Sequence, residues 1–262
     1  MAVVRFGFHD GLTAFLAPQR RSREFEYRCA RAATVKNAIE ALGVPHTEVE
    51  LIRVNGRAVD LTYRVQDGDR IDVFPTVDGA DLESLPRLRT PPPAPTRFIA
   101  DSQLGALARL LRMLGFDTAY DNGYADEEIR CRAAQEERII LTRDRELLKC
   151  RTVTHGCYVH ALEPRAQLRE IVQRLRLAAS MRPFTLCVHC NVPLVPVAKE
   201  AVLGQLPPMV AERHQEFQTC AGCRRVYWKG THWERMRGVL RELLSGDAAS
   251  MAEPPLASGP PP

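Results

Sequence analysis

The chain has 262 residues, 26% of them charged, and a formal net charge of +4. This length suits two modest domains and excludes a single small module, and the charge is weaker than that of a dedicated nucleic-acid binder. No stretch approaches the roughly 18 consecutive apolar residues of a membrane span, so we expect a cytoplasmic protein without a membrane partner.

The N-terminal region alternates strand and helix patterns. Strands are predicted at 3–8 and 24–29, and Val35, Ile39 and Leu42 share one helical face. Further strands follow in LIRVNG and DGDRIDVFP, with Asn-Gly and Asp-Gly turns. This order, with RVNGRAVDLTYRVQDGDRIDVFP, resembles the β-grasp fold of the ubiquitin-like sulfur-carrier proteins. The resemblance implies an α+β domain over 1–79.

Sulfur-carrier chemistry needs a free C-terminal Gly-Gly, whereas this domain runs on into a linker. We therefore expect the β-grasp domain to dock a protein partner. The linker is predicted at 80–96, where LPRLRTPPPAPT has clustered prolines and no apolar periodicity. At the other end, residues 246–262 are rich in Pro, Ala, Gly and Ser, which predicts a disordered tail.

Beyond the linker, strand and helix patterns alternate. The strand in RFIAD precedes the helical SQLGALARLLRMLG, a second strand at 116–120 precedes a helix at 126–136, and RIILT precedes DRELL. This alternation predicts an α/β fold, with a parallel sheet flanked by helices.

Acidic residues follow all three predicted strands. Asp101 ends the first, Asp121 and Asp126 follow the second, and Asp144 ends the third. Ligands of open parallel sheets bind at this strand edge, and clustered carboxylates suit Mg²⁺ or Mn²⁺. Such a site can hydrolyse phosphodiesters.

Helix capping is the competing interpretation of these acids. Asp101, Asp126 and Asp144 all precede predicted helices, where aspartate is a favoured N-cap. Capping explains each residue separately but not their shared edge, so we favour the metal site. Its neighbours Arg143 and Arg145 are candidate contacts to the substrate backbone.

Two Cys-x-x-Cys pairs predict a zinc site. Cys187, Cys190, Cys220 and Cys223 supply four thiolates, which form a closed, structural Zn²⁺ site. His189 and His214 are weaker alternative ligands, and His189 is expected to be exposed beside the knuckle.

The segment RRVYWKGTHWERM follows the second pair and mixes cationic and aromatic residues. Arg224, Arg225 and Lys229 are candidate contacts to RNA, in particular to single strands. For Trp228 and Trp233 we favour packing of the ribbon over base stacking.

An ordered set of motifs between residues 97 and 244 resembles the Mut-seven C-terminal (Mut7-C) family, a PIN-like ribonuclease domain carrying a zinc ribbon, often behind a ubiquitin-like domain. The motifs are FIADSQLGALARLLRMLGFDTAYDN, ADEEI, RIILTRDRELL, VTHGCYV, CVHCNVPL and CAGCRRVYWKGTHWERM. The resemblance implies ribonuclease activity, with metal ligands at Asp101 and Asp144. For the third ligand we choose Asp126, with competitors Asp121, Glu127 and Glu128.

The resulting hypothesis is a metal-dependent ribonuclease, with a PIN-like core at 97–182 and a zinc ribbon and C-terminal helix at 183–245. The alternative is a noncatalytic RNA-binding or adaptor protein that uses the β-grasp domain for docking. His155, in VTHGCYV, is a candidate for donating a hydrogen bond to a substrate phosphate or acting as an acid at the site, although we favour an ordinary loop histidine there.

Overall fold

The fold is that of a computed structural model, which describes residues 1–21, 24–30, 32–75, 88, 93–230, 234 and 238. Four predicted features lie wholly or mostly outside these residues: the linker, the packing of Trp233, the C-terminal helix and the tail. Within the described chain, no helix is long and apolar enough to cross a membrane.

The chain packs into two compact units. The first comprises Met1–Ala108 and Thr118–His160, and the second comprises Arg109–Asp117 and Ala161–Pro262. The limits of these units differ from the domain boundaries that the sequence predicts. Those boundaries stay predictions.

The first unit begins with a five-stranded sheet and one helix. The elements are β1 (Ala2–Phe8), β2 (Phe25–Cys29), α1 (Val35–Ala41), β3 (Leu51–Val54), β4 (Arg57–Val59) and β5 (Arg70–Phe74). The strand order is β2-β1-β5-β3-β4, and β1 and β5 are parallel. Val4 and Phe6 of β1 and Ile39 of α1 share one core, as the apolar spacing predicts. This mixed sheet with one packed helix confirms the β-grasp prediction.

The rest of the first unit holds the predicted parallel sheet. Its elements are β6 (Phe98–Ala100), α2 (Gly105–Met113), β7 (Thr118–Ala119), α3 (Asp126–Gln135), β8 (Ile139–Thr142), α4 (Arg145–Lys149) and β9 (Gly156–Tyr158), and α2 continues into the second unit. The strand order is β7-β6-β8-β9, and every pairing is parallel. Because β6 and β8 are apolar and fully buried, they form the centre of this sheet.

The second unit contains α5 (Pro164–Arg174) and a three-stranded antiparallel sheet. The sheet strands are β10 (Leu194–Val197), β11 (Phe217–Cys220) and β12 (Val226–Trp228), and α6 (Lys199–Val202) and α7 (Pro208–Arg213) lie between β10 and β11. These inserted helices account for the long sequence interval between the two cysteine pairs. Trp228 packs against a small core of Val202, Leu206 and Phe217, as predicted for this tryptophan.

Candidate functional site

Two acids of the parallel sheet are joined through one buried threonine. Asp101 directly follows β6, and Asp144 lies two residues beyond the neighbouring β8. Thr142 Oγ1 donates to Asp101 Oδ2 at 2.7 Å and accepts from the Asp144 backbone N–H at 2.9 Å. Strand order therefore brings together two residues that stand 43 positions apart (144 − 101).

Helix capping accounts for the position of Asp144 but not for that of Asp101. Asp144 does cap its helix, because its Oδ1 accepts from the Glu146 N–H at 2.7 Å. The side chain of Asp101 makes no capping hydrogen bond, although the residue is only 8% exposed. Its Oδ1 accepts instead from the Ser102 hydroxyl at 3.1 Å. Capping therefore does not explain why a carboxylate is buried at position 101.

The acids after β7 are more exposed than Asp101. Asp121 closes a turn, in which its Oδ1 accepts from the Gly123 N–H at 2.8 Å. Asp126 is the first residue of α3 and is exposed, with no side-chain cap. Tyr120 donates from its hydroxyl to the Ser102 carbonyl at 3.0 Å, which ties the end of β7 to the segment after β6.

Within the described residues, the carboxylates of Asp101, Asp126 and Asp144 do not form a metal-binding cluster of three. Asp126 as the third ligand, with Asp121, Glu127 and Glu128 as its competitors, stays a prediction.

The two arginines beside Asp144 have intramolecular contacts. Arg143 Nη1 donates to the His160 carbonyl at 3.3 Å. Arg145 Nη1 donates to the Phe15 carbonyl at 2.9 Å, and its guanidinium lies over the Phe15 ring. Arg145 thus has a structural role beside the role in substrate binding that the sequence suggests.

Two histidines flank β9 at opposite ends of the sheet. His155 precedes β9, and its carbonyl accepts from the Ile140 N–H at 3.0 Å, so it lies at the edge away from the acids. His160 follows β9 at the same edge as Asp144 and is exposed. Sequence reasoning missed His160 because it did not extend the strand in VTHGCYV to the residue beyond its end.

The four cysteines of the second unit converge. Their sulfur atoms all lie within 4.8 Å of one another, and Cys187 Sγ is 3.7 Å from Cys223 Sγ. Four Zn–S bonds of about 2.3 Å in tetrahedral geometry place sulfurs about 3.8 Å apart. The cluster can therefore hold a zinc ion with all four positions filled by protein, and His189 is exposed as predicted.

The two cysteine knuckles have the same local geometry. In each, the N–H of the second cysteine points to the sulfur of the first, at 3.4 Å for Cys190 and 3.5 Å for Cys223. The next residue has positive φ, 62° at Asn191 and 58° at Arg224. Both knuckles therefore turn alike, and their two pairs of sulfurs meet in one cluster.

Hydrogen bonds to sulfur shift the thiol pKa values. Burial raises the pKa of Cys187, but the Tyr227 hydroxyl, 3.1 Å from its Sγ, and nearby backbone N–H groups outweigh burial and lower it overall. The Arg225 backbone N–H lowers the pKa of Cys223 to about 6. Donors that favour thiolate also favour zinc binding, because thiolate is the form that binds the metal.

Three basic residues after the second knuckle are exposed. Arg224, Arg225 and Lys229 lie on the surface around β12. Lys229 Nζ is 2.5 Å from Glu216 Oε2, an ion pair that is open to solvent. Tyr227 and Trp228 are half-buried, so these three cationic side chains are more open to solvent than the two aromatic ones.

Comparison with family models gives two matches along the chain. Residues 96–240 match the Mut7-C RNAse domain, and residues 1–81 match the Mut7-C ubiquitin domain. The chain belongs to the Mut7-C RNAse domain family. Membership of the Mut7-C family supports a nuclease-like function, with RNA as the substrate class.

Comparison with solved structures matches the chain to SAMP1 from Haloferax volcanii. The identity is 21% and the TM-score 0.24, and the match covers 30% of this chain and 100% of SAMP1. The search of curated proteins returned no match for this Mut7-C chain.

Proposed function

We propose that the chain is a metal-dependent ribonuclease that hydrolyses RNA phosphodiester bonds. The reaction takes place at the carboxyl edge of the parallel sheet where Asp101 and Asp144 lie, which we call the acidic edge. The observation that carries the proposal is the buried carboxylate of Asp101, which has no basic partner within the described residues. A buried charge is costly unless an opposite charge neutralises it. A divalent ion bound between Asp101 and Asp144 provides that charge.

The donor set fits Mg²⁺ or Mn²⁺, because both prefer carboxylate oxygens. Asp101 and Asp144 would hold the ion, with a third carboxylate from Asp126 or from one of its competitors Asp121, Glu127 and Glu128. The hydrogen bond from Thr142 fixes the orientation of the Asp101 carboxylate. When bound, the ion activates water and stabilises the charge that develops on the phosphodiester.

The other candidate residues have supporting roles in this proposal. The zinc ribbon is structural, since four thiolates leave no position open for substrate. Its exposed Arg224, Arg225 and Lys229 contact the phosphates of single-stranded RNA, and Arg143 contacts the strand beside Asp144. The β-grasp domain docks a protein partner. A cytoplasmic location suits the eight cysteines, all of them without disulfides.

A noncatalytic RNA-binding adaptor is the second candidate. It is favoured by the lack of a third acid near enough to Asp101 and Asp144, among the described residues, to complete a three-ligand cluster. In that case the edge binds no catalytic ion, and the basic residues of the ribbon still bind RNA.

Asp144→Asn separates the two candidates. Asparagine is as good an N-cap as aspartate, so α4 keeps its start while the edge loses one charge. For a ribonuclease, cleavage of single-stranded RNA is abolished and RNA binding persists. Asp60→Asn is the matched control, because Asp60 also accepts from a backbone N–H two residues on, that of Thr62, in the N-terminal sheet region. Asp144→Asn with wild-type cleavage contradicts the proposed site.

A further inference from the structure

Two polar contacts attach the N-terminal sheet region to the parallel sheet within the first unit. His46 Nε2 lies 3.0 Å from the Val153 carbonyl. Glu48, only 3% exposed, accepts from the Tyr158 N–H at 2.7 Å. Since buried polar groups with partners specify one packing arrangement, the β-grasp region is held in place on β9.

An aromatic cluster continues this contact to the carboxyl end of β9. Phe15 is 3% exposed, and its ring meets those of Tyr158 and His160 edge-on, at 5.0 and 5.2 Å between centroids. The Tyr158 and His160 rings are 4.8 Å apart. Edge-to-face contacts at these distances are favourable and fix ring orientation. Phe15, from the N-terminal sheet region, therefore helps to fix the ring of His160, which follows the last strand of the parallel sheet.

Arg145, the residue after Asp144, also contacts the aromatic cluster. Its Cζ lies 5.0 Å from the centroid of the Phe15 ring and 5.8 Å from that of Tyr158. Together with the hydrogen bond to the Phe15 carbonyl, these contacts fix the start of α4 to the aromatic cluster.

The strand register places His160 at the same carboxyl edge of the sheet as Asp101 and Asp144. Thr142 pairs with Tyr158, and the Val159 N–H donates to the Thr142 carbonyl at 2.9 Å. His160 therefore lies two residues beyond β9, at the same carboxyl edge of the sheet where Asp144 lies two residues beyond β8. His160 is exposed there, although its ring is in contact with two others.

We propose that His160 is a base-stacking residue for the RNA strand at the acidic edge, and that Phe15 positions its ring. This inference rests on the proposed ribonuclease function. An exposed aromatic ring of fixed orientation stacks an unpaired base whatever its identity, because every base has a π-face. The β-grasp region is accordingly a component of the substrate site through Phe15, in addition to any role in docking a partner.

The test measures binding of fluorescently labelled single-stranded RNA to the full chain by anisotropy. Asp144→Asn is present throughout, so that the strand stays intact. Adding His160→Ala raises Kd about tenfold, the effect expected for the loss of one stacked base. His160→Phe restores Kd to within about twofold of the parent, because phenylalanine also stacks.

Phe15→Leu tests the positioning role, with Phe8→Leu as its control. Phe8 is also buried in the N-terminal core, but its ring contacts are with Phe6 and Phe25. In the cleavage-competent chain, Phe15→Leu raises KM and leaves kcat unchanged, whereas Phe8→Leu changes neither. Equal effects of the two leucine variants overturn the positioning role, and a His160→Phe variant as weak as His160→Ala overturns stacking.

The inference and the ribonuclease proposal fail in different ways. Cleavage by the wild-type chain with unchanged binding in His160→Ala overturns the inference and leaves the ribonuclease intact. Binding that depends on His160, without cleavage by the wild-type chain, supports the inference and overturns the ribonuclease. A chain that binds no RNA overturns both.

Discussion

The cysteine cluster and the acidic edge are built in opposite ways. The four cysteines come from two tetrapeptides, and each knuckle is shaped by its own backbone N–H groups and one residue of positive φ. The acids come one at a time from loops after different strands, and only the strand order β7-β6-β8 brings these loops together. A closed structural site can therefore be recognised from local spacing, whereas an open site at a sheet edge depends on topology.

The largest expected effect is the loss of zinc in Cys187→Ser. Structural zinc sites contribute on the order of 10 kcal/mol, so the variant should lack bound zinc, and its ribbon should be open to protease. Cys131→Ser is the control, because Cys131 is exposed and lies outside the cluster. Metal content by atomic absorption and limited proteolysis check this expectation. Full zinc occupancy in Cys187→Ser would contradict the four-cysteine site.

The second prediction distinguishes the role of the acidic edge from that of the zinc site. Asp101→Asn should keep its zinc and lose cleavage at least about 100-fold, since an ion at the transition state contributes several kcal/mol. Initial rates on single-stranded RNA and zinc content are measured on the same sample. Asp126→Asn, Asp121→Asn, Glu127→Gln and Glu128→Gln are assayed in parallel, and the third ligand is the acid whose loss has a similar effect. Zinc loss in Asp101→Asn would show that the sites are not independent.

Thr142→Val should destabilise the fold by about 1–3 kcal/mol, because the Asp144 N–H and Asp101 Oδ2 both lose a buried partner. Urea unfolding measures the change. Thr142→Ser keeps the hydroxyl and serves as the control. If the valine variant is as stable as the serine variant, the hydroxyl does not hold the two acids together.

The smallest effect is expected for Tyr227→Phe, which removes the hydroxyl beside Cys187 Sγ. Hydrogen bonds to metal ligands typically change affinity about 10- to 100-fold, so we expect weaker zinc binding in an intact fold. Competition with a chromogenic chelator measures the affinity. Tyr63→Phe is a control, because its hydroxyl donates to Asp69 in the N-terminal region. Equal zinc affinity in both variants would show that Tyr227 does not tune the site.

Sequence predicts the cysteine cluster more fully than the acidic edge, because the geometry of the first is local and that of the second depends on strand order. Cys-x-x-Cys spacing predicts the cysteine cluster because its geometry is local. Apolar strand patterns predict that Asp101 and Asp144 share an edge, since the parallel sheet follows from alternating strands and helices. The third acid is not fixed by sequence, because β7 is only two residues long and the segment after it has several candidates.

The contacts that sequence could not predict are long-range. The sequence shows Thr142 only as the last residue of a predicted strand. Its hydrogen bond to Asp101 depends on the register between β6 and β8. The contact of Phe15 with His160 joins residues 145 positions apart (160 − 15). No periodicity or spacing rule reports such a pair, because it arises from the packing of two sheets that are separated by a linker.

The central claim is tested most directly by cleavage of end-labelled single-stranded RNA by the purified full chain. The reactions contain Mg²⁺ or Mn²⁺, with EDTA and the Asp101→Asn/Asp144→Asn double variant in parallel. We predict metal-dependent cleavage that is lost in EDTA and in the double variant, while both proteins keep their zinc and bind RNA. Cleavage that persists in the double variant, or RNA binding without cleavage by the wild-type chain, would contradict the proposed ribonuclease site.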